Sequence, residues 1–97
     1  MNSKPRILKT WEKLDEEIQE QIKLLYTDGF EDNLIKVLNK EGEDQTVLPF
    51  ETEDKYYLVK MTYLEAYEII EEDDDYDEHG RIIDEVRQDF EAKYDED

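Results

Sequence analysis

Lys55-Tyr56-Tyr57-Leu58-Val59-Lys60-Met61-Thr62-Tyr63-Leu64-Glu65 holds the change of period on which the fold turns. Its first seven residues are aromatic and aliphatic between lysines, with no helical phase, and read as a strand. Thr62-Tyr63-Leu64-Glu65 then matches the capping box, in which threonine accepts from the amide three residues on and glutamate accepts from the threonine amide. A strand therefore ends at Met61 and a helix begins beside it. Tyr63, Ala66, Tyr67 and Ile70 fall on one face of that helix, with Leu64 at its shoulder. The spacing predicts that these residues pack inward.

Upstream, Thr46-Val47-Leu48-Pro49-Phe50 and Leu34-Ile35-Lys36-Val37-Leu38 read as two more strands, joined by polar turns at 39–44 and 52–54. Short connections favour an antiparallel meander. Pro49 objects to a fully paired central position, because proline has no amide to donate, so an edge or a bulge is expected there. Before the strands, Thr10 is a good N-cap, and Trp11, Leu14, Ile18, Ile22 and Leu25 draw an apolar stripe. An amphipathic helix from Thr10 to Tyr26 follows, with Glu12, Asp15, Glu16, Glu20 and Lys23 on its polar face and Gly29 as its stop. Residues 1–9 carry Lys4, Arg6 and Lys9 without an acid and read as a basic extended arm. After Gly80, the residues Ile82, Ile83, Val86, Phe90 and Tyr94 suggest a last helix, and 95–97 form an acidic tail.

The expected architecture is a single α+β domain over 10–94, in the order α-β-β-β-α-α. Helices pack on one face of a three-stranded antiparallel meander. The uncovered face is expected to be polar, or a partner surface.

Charge narrows the function. The 97 residues hold 30 acids and 12 bases, for a formal net charge of −18. Residues 62–97 alone carry sixteen acids against Arg81, Arg87 and Lys93. Nucleic acid and anionic membrane surfaces bear the same sign and are unsuited as direct partners, whereas basic proteins are attracted. There is no cysteine, hence no disulfide and no thiolate chemistry. No apolar stretch approaches the roughly 20 residues of a membrane span, and a cytoplasmic protein is expected.

The candidate site is the run Glu71, Glu72, Asp73, Asp74, Asp75, Tyr76, Asp77 and Glu78. So many like charges repel one another, so the run is solvated, binds a cation, or faces a basic partner. The preferred expectation is a basic protein partner, with each carboxylate pairing with lysine or arginine and Tyr76 as anchor. An inhibitor that imitates the phosphate charge of a duplex shares this composition, and a purely solvated surface is the plain alternative. A second alternative is a divalent cation. Asp75-Tyr76-Asp77-Glu78-His79-Gly80-Arg81-Ile82 resembles the first half of an EF-hand calcium loop, with carboxylates at positions 1 and 3 and glycine at 6. Asp75 and Asp77 are the weak metal candidates. His79 replaces an oxygen ligand at position 5, and Val86 stands where the bidentate glutamate belongs.

Catalysis is not expected. His79 is the sole histidine, Ser3 the sole serine, and the three glycines are isolated, so neither a nucleophile–base pair nor a phosphate-binding loop is available. No cofactor and no small-molecule ligand are expected.

Overall fold

The capping box at Thr62 is formed. The Thr62 hydroxyl accepts from the Glu65 amide at 3.1 Å, and the Glu65 carboxylate accepts from the Thr62 amide at 2.8 Å. This fixes the junction between strand β4 (Tyr56–Lys60) and helix α2 (Tyr63–Glu71). The structure, a computed structural model, describes residues 4–94. The acidic tail at 95–97 and the first three residues of the basic arm lie outside them.

The fold is α+β, with three helices and a four-stranded mixed sheet. Its remaining elements are β1 (Arg6–Thr10), α1 (Glu16–Leu25), β2 (Ile35–Leu38), β3 (Asp44–Glu51) and α3 (Asp84–Lys93). Strands lie in the order β1-β4-β3-β2. The order along the chain is thus β-α-β-β-β-α-α, and the sheet is not a three-stranded antiparallel meander. The three central strands do form antiparallel neighbours, but Arg6–Thr10 adds a fourth strand parallel to β4. The expected arm pairs because its backbone finds partners: the Pro5 carbonyl accepts from the Tyr56 amide at 2.9 Å, and Ile7 opposite Tyr57 packs against the core.

Pairing at 6–10 also displaces the first helix. Thr10 ends the strand, Trp11–Lys13 form one 3-10 turn, and α1 starts only at Glu16. Trp11 and Leu14 keep their inward orientation. Pro49 stands in β3 opposite Leu58, but β2 reaches only from Asp44 to Val47 along β3. The proline therefore sits beyond the end of β2, where β3 has one neighbour.

Alternation along the strands assigns the faces. Ile7, Leu48, Phe50, Tyr57 and Val59 face the helices and join Ile22, Phe30, Ala66 and Ile70 in the core. All three helices lie on that side. The opposite face carries Leu8, Leu58, Pro49, Val47 and Ile35. Expected to be polar or a partner surface, it is apolar at its centre.

Several face assignments change, and Leu25, expected on the apolar stripe of the first helix, is 58% exposed. On α2 the buried stripe is Ala66, Ile69 and Ile70. Tyr63 and Tyr67 turn outward, 58% and 49% exposed, beside exposed Leu64. On α1, Lys23 does not join the polar face. It is buried at 9% exposure because the 73–75 turn crosses over it.

Candidate functional site: the 71–78 segment and the grooves beside α2

The acidic run divides four ways. Helix α2 ends at Glu71, and the Glu72 amide closes it by donating to the Glu68 and Ile70 carbonyls. A tight turn follows. The Asp73 amide donates to the Ile70 carbonyl, the Tyr76 amide to the Asp73 carbonyl, and the Asp75 amide to a carboxylate oxygen of Asp73. This local bonding is what aspartate favours in turns. It aims Asp73 and Asp75 inward together.

There they meet Lys23. Its ammonium lies 2.6 Å from Asp73 Oδ2 and 2.9 Å from Asp75 Oδ2. Burial pushes the lysine pKa down, but hydrogen bonds to the two carboxylates outweigh it and hold the group above its ordinary value. Two acids of the run thus share one lysine of the same molecule, which offsets one of their two charges.

Tyr76 is a core residue, 6% exposed, and not a surface anchor. Its hydroxyl donates to the Tyr26 carbonyl at 2.9 Å, and its ring stands edge-on to Phe30 with centroids 6.2 Å apart. A bridge to Ile82 ties its backbone, and the Ile82 amide donates to the Thr27 carbonyl. Burial, and then the nearby Asp73, Asp75 and Asp28 charges, push its phenol pKa well up. A tyrosine flanked by acids on both sides looks exposed in sequence, but the turn leaves Asp74 and Asp77 outside while Tyr76 points in.

Asp77 caps the next turn. One carboxylate oxygen accepts from the His79 amide at 2.8 Å and the Arg81 amide at 3.0 Å. The Arg81 amide, with His79 helping, holds its pKa below the ordinary value against the effect of burial. Gly80 adopts φ 78°, which glycine alone takes without strain. These bonds occupy the EF-hand-like half-loop. Asp75 holds Lys23, Asp77 holds two backbone amides, and Val86 packs against the core. Among the described residues no group of three or more His, Asp or Glu side chains could hold a metal ion. His79 is exposed, 3.7 Å from Glu78.

The acids that do face outward are shared between two grooves flanking α2. A groove of about 460 Å³ is walled by Trp11 and floored by Met61 and Ile69, with Glu12, Glu65, Glu68 and Glu72 around it and Lys60 at one side. On the other flank, a smaller hollow of about 190 Å³ is lined by Tyr67, Ile70 and Gly80 with Glu31, Glu71, Asp77 and Glu78. The Tyr67 hydroxyl donates to Glu71 at 2.8 Å. Asp74 is exposed and lines neither groove.

The ridge between the grooves therefore carries exposed Tyr63, Leu64 and Tyr67. The four-residue steps from Tyr63 to Tyr67 to Glu71 place all three side by side, and Ala66-x-x-Ile69-Ile70 competes for the inward face. The smaller Ala66 allows close approach to the core and wins it.

Compared with known proteins, the chain matches no family model, no curated protein and no solved structure. Among the described residues no helix is long and apolar enough to cross a membrane.

Proposed function

We propose that this chain is a non-enzymatic docking protein for a basic segment of another protein, bound across α2 and the outward acids of 71–78. The observation that supports it is the pair of grooves beside α2. Each combines an aromatic wall, Trp11 or Tyr67, with four carboxylates. Lysine or arginine entering such a groove gains charge-assisted hydrogen bonds, and its cation lies over a ring face, worth about 0.5–1 kcal/mol at an exposed site. The docking acids are Glu71, Glu72, Asp74, Asp77 and Glu78, joined by Glu65 and Glu68. Tyr67 and Tyr63 take the anchoring role that the sequence suggests for Tyr76, because tyrosine offers contact area at low entropic cost. The long-range field chiefly accelerates encounter.

The test is a titration with a peptide of alternating arginine and leucine, followed by backbone amide shifts. Shifts concentrated on 63–72 and 77–80, weakened by Glu68→Gln with Glu71→Gln, support docking. Shifts spread evenly over every acidic segment, α3 included, sink it and leave a solvated surface.

A further inference from the structure

The two grooves beside α2 differ in what their acids already hold. In the hollow beside Tyr67, Glu71 accepts from the Tyr67 hydroxyl, and Asp77 accepts from the His79 and Arg81 amides. In the groove beside Trp11, the Glu65 carboxylate accepts from the Thr62 amide at 2.8 Å. Among the described residues no ion pair holds Glu12, Glu68, Glu72 or Lys60. The Trp11 groove is also the larger, about 460 Å³ against about 190 Å³.

Its dimensions follow from α2. Glu65, Glu68, Ile69 and Glu72 share one face of the helix. At about 1.5 Å per residue, the groove runs about 10 Å from Glu65 to Glu72, and Glu68 stands about 6 Å along the axis from Glu72. Spread over that length, a volume of about 460 Å³ corresponds to a channel about 7 Å across. A helix with its side chains is about 10–12 Å wide and does not enter. An extended chain does, since strands pack about 4.8 Å apart. Buried Met61 and half-buried Ile69 floor the channel. Trp11 stands against Phe30, ring centroids 5.1 Å apart, which holds the indole in place.

We propose that the Trp11 groove takes an extended partner segment with two arginines at alternate positions, Arg-x-Arg, a proposal that rests on the docking of a basic segment at α2. Residues i and i+2 of an extended chain share a face about 6.6 Å apart, close to the ~6 Å between Glu68 and Glu72. Adjacent residues point to opposite faces and do not reach both acids. Arginine is preferred to lysine. Its planar guanidinium lies flat on an indole while it bonds a carboxylate through two N–H groups, and it sheds water more readily than an ammonium. Glu12, from the turn that carries Trp11, adds a carboxylate from outside α2. Lys60 gathers with Met61, Thr62 and Glu65 at the start of α2, so that end of the groove repels a further cation. The arginine pair therefore settles at Glu68 and Glu72.

The emission of Trp11, the one tryptophan of the chain, tests it on the full chain. The probes are Ala-Arg-Ala-Arg-Ala, Ala-Arg-Arg-Ala-Ala and Ala-Lys-Ala-Lys-Ala, blocked at both ends and equal in charge. The alternating arginine peptide should shift the emission and bind at least about fivefold tighter than either of the others. Glu68→Gln with Glu72→Gln should weaken it at least about tenfold, and Glu71→Gln with Glu78→Gln by less than about twofold, with circular dichroism confirming the fold of each variant. Equal binding of the alternating and adjacent arginine peptides overturns the proposal. So does equal binding of arginine and lysine, or an emission indifferent to every peptide. Backbone amide shifts separate this failure from that of docking itself. Shifts on 63–72 without a spacing preference or a Trp11 response overturn the Arg-x-Arg segment and leave docking standing. Shifts spread over every acidic segment overturn both.

Discussion

The ammonium of Lys23 lies 2.6 Å from a carboxylate oxygen of Asp73, within the molecule and not on its surface. Asp75 completes a triad at 2.9 Å. The contact joins α1 to the turn after α2, fifty residues apart in the chain. It converts part of a repulsive run into an attachment point. Removing Lys23 leaves two facing carboxylates without their cation, whereas removing either aspartate leaves Lys23 one partner.

A contrast between adjacent residues follows. Asp73→Asn removes one negative charge and should still destabilise the fold by about 1–3 kcal/mol, because a charge-assisted bond to Lys23 is lost. Asp74→Asn removes the same charge from an exposed position and should be neutral or slightly stabilising. Lys23→Met should cost more than Asp73→Asn, since it leaves two facing carboxylates. Urea denaturation of the three variants checks the order. Equal effects of Asp73→Asn and Asp74→Asn would show that the triad contributes nothing.

Tyr76 and Lys23 both have pKa values raised by folding, which sets the alkaline limit of stability. A group that holds its proton more tightly when folded stabilises fully below its unfolded pKa. That contribution is lost as pH climbs toward the folded value. Their ordinary values are 10.0 and 10.5, so stability should hold to about pH 10 and fall steeply above it. Tyr76→Phe deletes the hydrogen bond to the Tyr26 carbonyl, at about 0.5–1.5 kcal/mol near neutral pH. It should also flatten the alkaline decline. Denaturant midpoints measured from pH 8 to pH 11 decide this, and an unchanged alkaline slope in the variant would remove Tyr76 from the account.

Much of the fold was legible where a local chemical signal stood alone. The Thr62 capping box, the strands around Val47 and Val59, and the core role of Leu14 and Ile22 needed only period and propensity. What failed depended on partners distant in sequence. Arg6–Thr10 has too few apolar residues to announce a strand, and it becomes one because β4 offers an open edge. Lys23 sits beside the apolar stripe of α1, and nothing local says that Asp73 and Asp75 will cover it. Within the acidic run, composition suggests one continuous surface. Aspartate turns at 73 and 77 break it into inward and outward groups, and only the turn geometry assigns Tyr76 to the core. The outward tyrosines of α2 had a signal in their four-residue spacing, masked by the equally good spacing of Ala66 and Ile70.

The bonding of Asp75 and Asp77 bears on calcium. A site built from them would have to release Lys23 and the His79 and Arg81 amides, with no bidentate acid at Val86 in return. Calcium at about 1 mM, enough to fill weak extracellular modules, should leave the amide shifts of Gly80 and Ile82 in place. Gradual small shifts spread over many acids would mark screening. A steep change confined to Gly80 and Ile82, saturating at low calcium, would restore the loop as a specific site.

Salt should stabilise the protein, and the layer arrangement says where. Acids on α1, α2 and α3 share one side, with 21 of them on the helical segments against five bases. Their repulsion acts across exposed positions through water and is screened as the Debye length shrinks from about 30 Å at 0.01 M salt to about 8 Å at 0.15 M. The few surface ion pairs, Lys4–Glu51 and Lys93–Glu20 among them, weaken over the same range but contribute little each. The near-buried Lys23 triad is screened far less. Repulsion therefore dominates the salt response, and the thermal midpoint should rise over that interval. Glu68→Gln with Glu71→Gln should raise it at low salt and reduce its dependence on salt. A midpoint indifferent to salt would mean that the acidic layer does not strain the fold, and the Lys23 triad would then have no repulsion to offset.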